Sequence, residues 1–281
     1  KSAKFRDLEI TVACTAGVES NSMRAGDPAG IYELEGRFEI VDDSSSSNVG
    51  TINIIICINH ELTQSALTDC AMTATEAKSA VLQELGINSR YSDSIATGTG
   101  TDQILVASPI GTELPIGYAR KYTKLGELIG KTCISAIRET LVWQNNLTPN
   151  VRCSCLAHLG RLCSNQETFC DGVGRFLSSE QAVLFRKNFV SINMDPLTVA
   201  ALAALIHIRH KCLWGVLPEN CVKEILISQG AMIAAAVSGK YANLPRFLKE
   251  LAQREISINR DKFVALVYEC FALGFSEKWL E

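Results

Sequence analysis

Gly50-Thr-Ile-Asn-Ile-Ile-Ile-Cys-Ile58 is a near-continuous aliphatic run, rich in β-branched residues, and its reading sets the frame for the rest of the chain. Such side chains fill a pleated surface well and lose rotamer freedom in a helix. A run with so little alternation predicts a central strand with both faces covered. Asn53 interrupts it, and a buried amide needs partners, so Asn53 either clamps a neighbouring loop or faces a ligand.

Outward from that strand, Leu62 to Leu85 has helical spacing, with Thr63 or Asn59 near its start and Gly86 just past its end. Advancing 100° per residue puts Leu67, Ala71, Ala74, Lys78, Val81, Leu82 and Leu85 on one arc. Lys78 falls inside the apolar stripe, where a bare ammonium must pair with a carboxylate or lose its proton. Glu76 falls on nearly the opposite side and ranks second to Lys78 as a site residue. After a turn over Asn88 to Ser94, the chain returns through Ala96-Thr-Gly-Thr-Gly-Thr-Asp102 into a second aliphatic run, Ile104-Leu-Val-Ala107. Interleaved threonines and glycines are poor core material, so this stretch is expected to approach a ligand closely. Strand, helix, strand over this distance suits an α/β crossover or sandwich.

Leu8 to Ala16 reads as another strand, Ile31-Tyr-Glu-Leu34 with Arg37-Phe-Glu-Ile-Val41 as a hairpin, and Asp42 to Asn48 as an exposed loop. Between them, Asp27 in Gly26-Asp-Pro28 is a natural turn-former. Leu125 to Trp143 is a second amphipathic helix, with Lys121, Lys124 and Glu127 at or before its first turn. A boundary is placed at Asn145 to Asn150. The expected architecture is therefore a mixed sheet layered with helices (α+β or α/β) over 1–145, followed by an all-α domain over 146–281. Helices are read at about Asp195 to Trp214, Pro218 to Val237, Leu244 to Arg254 and Arg260 to Leu273, with Gly215, Gly239 and Gly274 as stops.

With 47% hydrophobic residues in 281, the chain can bury a substantial core. Lys+Arg 27 against Asp+Glu 30 gives a net charge of −3, without a basic run to neutralise a phosphate backbone, so nucleic acid is not an expected partner. Pro196 to Ile208 and Ile225 to Val237 are read as buried helices too short to span a bilayer. No leader is read before Leu8, and the first residue is Lys rather than Met, which leaves room for upstream sequence. The eleven cysteines are odd in number and scattered through apolar segments, as free thiols in a reducing cytoplasm would be. Cys153, Cys155, Cys163 and Cys170, with His158 between, match no standard ligand spacing, and His207 with His210 lack a third ligand, so no metal site is assigned.

The order of Thr15-Ala-Gly-Val18, Arg24-Ala-Gly-Asp-Pro28, Thr51 to Ile56, Thr73-Ala-Thr-Glu-Ala-Lys78, Ala96 to Asp102 and Lys124-Leu-Gly-Glu-Leu-Ile-Gly130 resembles the adenosylcobinamide amidohydrolase (CbiZ-type) family of corrinoid salvage. The resemblance runs from about Leu8 to about Thr132. It implies hydrolysis of the amide that joins the aminopropanol arm to the corrinoid, releasing adenosylcobyric acid. No cofactor of the protein's own is implied, because cobalt enters as part of the substrate. One departure is Tyr122, where the family pattern often carries a His.

Amide hydrolysis needs an attacking group, donors for the oxyanion and a proton for the leaving amine. On the resemblance, Asp102 orients or deprotonates the attacking group, backbone N–H groups of Gly98 to Thr101 hold the oxyanion, and Lys78 supplies charge or the proton. A covalent nucleophile at Thr99 or Thr101 is the competing version. Asp27 and Glu76 complete the catalytic candidates. Gly98, Gly100, Asn53, Asn59, Lys124 and Glu127 are the substrate-binding candidates. Two other classes stay open: a corrinoid-binding module without chemistry, and a nucleotide-handling protein using the Gly/Thr loop. The expected protein is cytoplasmic, and a homo-oligomer is left open.

Overall fold

The computed structural model describes residues 1–41, 50–163 and 165–279; the tract read as a loop at Asp42 to Asn48 lies outside the described residues. The chain divides into two compact units, Lys1–Thr148 and Pro149–Glu281.

The first unit carries a mixed four-stranded sheet. Strands β1 (Ser2–Phe5), β2 (Leu8–Ala16), β6 (Ile52–Ile58) and β8 (Gln103–Ala107) lie side by side in that order. Strand β2 runs antiparallel to β6, pairing Thr15 with Asn53, and β8 runs parallel to β6, pairing Asn53 with Gln103. The helix between the parallel strands, α1 (Gln64–Glu84), begins where the Thr63 hydroxyl accepts from the Ala66 N–H at 3.2 Å and ends before Gly86 at φ +60°. Helix α2 (Lys124–Asn145) is capped in the same way by Thr123, and the two helices pack on each other and on the sheet.

Strand β6 is internal, as its aliphatic content predicts, but its two sides are not equally covered. Ile52, Ile54, Ile56 and Ile58 join one core with Ala74, Val81, Ile129 and Ile137, whereas Ile55, Cys57 and Leu105 point to the other side and are exposed. The expectation of two covered faces is therefore corrected. The apolar run reads as continuous because isoleucines occupy both pleat positions, while burial alternates with period two. Each fully buried isoleucine contributes about 2–3 kcal/mol, so register in this sheet is strongly fixed.

Two small ribbons flank the sheet. Strands β3 (Ser22–Met23) and β7 (Gly98–Thr99) pair antiparallel, and β4 (Ile31–Leu34) pairs with β5 (Arg37–Ile40) as a hairpin. The hairpin turn places Glu35 at φ 53° and Gly36 at φ 73°, the left-handed pair that matches strand twist in a two-residue turn.

The second unit is helical. Besides α7 (Pro196–Leu213), α8 (Val222–Ser238), α9 (Leu244–Leu251) and α10 (Arg260–Glu277), which lie near the expected positions, it contains α3 (Pro149–Arg152), α4 (Cys155–Leu159), α5 (Gln166–Gly174) and α6 (Ser179–Asn193). Helix α6 buries Phe185, Phe189 and Ile192 on one narrow stripe, too thin to stand out by hydrophobicity. A reciprocal Ser178–Gln181 capping box nevertheless marks its start. Gly239 does end α8, at φ +73°, but Gly274 is not a stop. It lies inside α10, where an added Cβ would stand 2.4 Å from the Ala234 carbonyl oxygen, so its role is close helix approach. Edge-to-face rings (Phe169 on Phe271, Phe185 on Phe275) fill the centre.

The continuous stretch Glu219–Ser238 is 20 residues long and apolar enough by length and composition to cross a bilayer, longer than the Ile225 to Val237 run suggests. Half of it is buried inside the unit, as for a core helix.

Candidate active site

The amino ends of β6 and β8 meet beside the buried face of α1, and Lys78 projects there from about four turns into that helix. It is 8% exposed and its ammonium pairs with Asp102 Oδ2. The same carboxylate oxygen accepts the Thr99 N–H at 2.9 Å, while Oδ1 accepts the Thr99 hydroxyl at 2.5 Å and the Ile52 N–H at 3.1 Å. An ionised carboxylate offers about four lone-pair sites, so Asp102 is saturated by these partners. It stitches the Gly/Thr turn to the first residue of the central strand.

Gly98 is what lets the ion pair form. A Cβ there would stand 2.2 Å from Asp102 Oδ2 and 2.7 Å from Lys78 Nζ, so any side chain occupies the position of the pair itself. Gly100 is less constrained, with Asn21 Oδ1 3.1 Å from a hypothetical Cβ. Asn21 is buried and spans the turn. Its amide donates to the Gly50 carbonyl at 2.9 Å, and its oxygen accepts the Tyr91 hydroxyl at 2.9 Å.

An open pocket of about 440 Å³ stands over this cluster. Thr75, Lys78 and Ser79 of α1 form one wall, the Thr97 to Gly100 turn and Asp102 the floor, and Met23, Arg24 and Ala25 the opposite rim. That rim is pinned from behind by Asp27, whose carboxylate accepts the Arg24 N–H at 2.7 Å and the buried Ser89 hydroxyl at 2.5 Å. Burial alone would push the Asp27 carboxyl up. The hydrogen bonds from Ser89, Ser92 and the Arg24 backbone outweigh it and hold the group below its ordinary value.

Lys78, Thr99, Gly98, Gly100 and Asp102 are thus brought together, and Thr101 adjoins them with its hydroxyl directed to the Gly50 carbonyl at 3.3 Å. Several other candidates lie outside the pocket lining. Asp27 supports the rim from behind. Glu76 is exposed on α1 and pairs with Lys121 outside the pocket lining. Asn59 lies at the far end of β6, where it receives the Glu9 N–H and donates to the Asp7 carbonyl, each at 2.7 Å, clamping the β1–β2 hairpin. Lys124 and Glu127 pair with each other on the surface of α2, and Glu127, also bonded to Lys131, is held down at about 2 by those ammonium partners. Asn53 donates to the Thr15 hydroxyl at 3.1 Å, on the side of the sheet away from the helices. Tyr122 is 78% exposed and lines no part of the pocket.

Three amides of the expected oxyanion cradle are already engaged within the turn. The Thr99 N–H is given to Asp102, the Gly100 N–H to the Asn21 carbonyl at 3.2 Å and the Thr101 N–H to the Thr99 hydroxyl at 3.4 Å. These three amides are committed to holding the turn, so they are not free to form an anion nest.

Sequence reasoning missed Asn21, Ser89, Thr75 and Ser79. Thr75 was findable, since it precedes Lys78 by three positions and shares its helix face. Nothing in the local sequence singles out Ser89. Among the described residues no group of three or more His, Cys, Asp or Glu side chains is placed to hold a metal ion, and all eleven cysteines are free.

A hydroxyl, a carboxylate and an ammonium gathered at one end of an α/β sheet form a constellation suited to hydrolytic chemistry. Over residues 1–149 the sequence matches the family model described as adenosylcobinamide amidohydrolase, and the chain belongs to that family. An adenosylcobinamide amidohydrolase of Methanosarcina mazei is 34% identical over 105 residues, covering 34% of this chain and 48% of that protein. An uncharacterised protein of Methanocaldococcus jannaschii is 35% identical over 150 residues, covering 51% of this chain and 58% of that protein. The chain thus spans about half the length of these curated relatives. No solved structure matches.

Proposed function

We propose that the first unit hydrolyses the amide joining the aminopropanol arm of adenosylcobinamide to its corrinoid, giving adenosylcobyric acid as in corrinoid salvage. The observation that carries the mechanism is the Thr99 hydroxyl 2.5 Å from Asp102 Oδ1 on the pocket floor. With Asp102 saturated, the proton it is placed to accept is that of Thr99 rather than of a free water, which favours a threonine nucleophile.

Thr99 Oγ attacks the amide carbon and its proton passes to Asp102. The carbonyl oxygen, gaining charge, is met by the Lys78 ammonium, which lies beside Asp102 in a largely desolvated position where charge stabilisation is strong. Collapse breaks the C–N bond, and the proton held by Asp102 goes to the departing nitrogen, which leaves as aminopropanol. Water then hydrolyses the Thr99 ester, giving the carboxylate and restoring the hydroxyl. The sum is amide plus water to acid plus amine.

Incubation with adenosylcobinamide tests the reading: aminopropanol and adenosylcobyric acid are expected in equal amounts. Binding of cobinamide and cobyric acid alike without turnover would instead make the chain a binding module. Competition by adenine nucleotide but not by cobinamide would support the nucleotide class, which the engaged amides of the turn disfavour.

A further inference from the structure

The β4–β5 hairpin exposes more apolar surface than a folded ribbon retains without reason. Ile31 is 60% exposed, Phe38 72% and Ile40 71%. Ile31 pairs with Ile40 and Glu33 with Phe38, so the three apolar side chains stand on one face of the ribbon. An isolated two-stranded hairpin is marginal in water, and an exposed apolar cluster of this kind, with Glu33 the one charged side chain on its face, marks a binding surface.

What covers this face is indicated by where the hairpin is rooted. Ala25, on the pocket rim, gives its N–H to the Thr97 hydroxyl at 2.9 Å, and Asp27 is tied to buried Ser89. From Asp27 to Ile31 is four residues, a reach of at most about 14 Å. The Val41 N–H donates to the Gly30 carbonyl at 3.0 Å, extending the ladder back toward that anchor. The pocket itself is walled mainly by threonine, serine, glycine and charge, with Met23 its one large apolar side chain. A cavity of about 440 Å³ so lined suits the amide arm of the substrate, but offers no surface to a large apolar disc fringed with polar groups.

We propose that the hairpin is the corrin-binding subsite, with Phe38, Ile40 and Ile31 lying against the macrocycle while the amide arm enters the pocket. This rests on the reading of the pocket as an amidohydrolase site for a corrinoid. The ligand's apolar face supplies the cover the ribbon lacks, and the pinned rim sets the distance between ring and scissile amide.

Equilibrium dialysis of cobinamide, followed by its visible absorbance, against the whole chain and the F38S/I40S variant separates the two claims. Cobinamide affinity is expected to fall roughly 30-fold in the variant, from the apolar area of the two side chains, with the thermal unfolding of the protein unchanged. Tight binding by the wild type without turnover of adenosylcobinamide would sink the proposed reaction and leave the hairpin to be judged by the dialysis. Turnover with unaltered KM and unaltered cobinamide affinity in the variant would overturn the hairpin subsite alone. So would a variant whose one change is loss of self-association, which would make the apolar face a contact between copies of this chain; a wild type that neither binds cobinamide nor turns over adenosylcobinamide would overturn the subsite and the proposed reaction together.

Discussion

Substituting Gly98 by Ala places a methyl group where the Lys78–Asp102 pair now sits. The new Cβ begins 2.2 Å from Asp102 Oδ2, and an ordinary carbon–oxygen contact is about 3.3 Å or more. Something must therefore move by about 1 Å. The carboxylate is fixed by Thr99 and Ile52, so relief comes by parting the ion pair or lifting the turn, and either displaces the Thr99 hydroxyl. A misplacement of about 1 Å costs on the order of 10²-fold in rate. Overpacking costs about 1–3 kcal/mol, partly offset by the reduced freedom of the unfolded chain, so melting should fall by roughly 2–6 °C. The assay is steady-state release of aminopropanol from adenosylcobinamide alongside thermal unfolding, with Gly117→Ala as control because nothing lies within 4 Å of its Cβ position. A Gly98→Ala protein with wild-type turnover and melting temperature would refute the placement of the ion pair.

Lys78→Met removes the ammonium from a pair in which both side chains are about one-tenth exposed. We expect turnover to be lost and stability to fall by about 2–4 kcal/mol, read by urea unfolding; Asp102→Asn should cost less in the Lys78→Met background than alone. Asp27, held below its ordinary 3.8, contributes stability that is fully present above the carboxylate range and lost as pH falls through its lower folded value. Asp27→Asn should accordingly lower the melting temperature at pH 7 and flatten its decline below pH ~4, whereas an unchanged acid limb would contradict the clamp. Burial pushes the Cys70 and Cys133 thiols up to about 12, so at pH 8 a thiol reagent should label exposed Cys57 first and reach those two on unfolding. Early labelling of Cys133 would show the α1–α2 core to be misplaced.

Much of this arrangement was legible because one physical rule governs both helix faces and ion burial. Lys78 fell inside an apolar stripe, and a cation there must find a carboxylate; Asp102 is that carboxylate. Thr63 and Gly86 bounded α1 through ordinary capping chemistry. The candidates that fall outside the pocket share a different cause. Lys124 and Glu127 sit in a motif string that also carries structural work, Asn59 lies just past the central strand, and no spacing rule tells an amide that clamps a hairpin from one that meets a ligand. The oxyanion cradle could not be judged from sequence, because a Gly/Thr stretch shows the freedom of its backbone but not where its N–H groups are spent. Those of Thr99, Gly100 and Thr101 are spent on Asp102, Asn21 and Thr99, long-range or turn-internal partners that appear once the chain has folded. The single-sided cover of the sheet was hidden by isoleucines standing on both faces of β6.

A single-turnover reaction with adenosylcobinamide, quenched in acid and followed by peptide mass spectrometry, tests the central claim most directly. The account predicts a corrinoid acyl mass on the peptide containing Thr99, formed as aminopropanol is released, and loss of both signals in Thr99→Val. Aminopropanol release at the wild-type rate from Thr99→Val, with no adduct on the wild-type peptide, would contradict it.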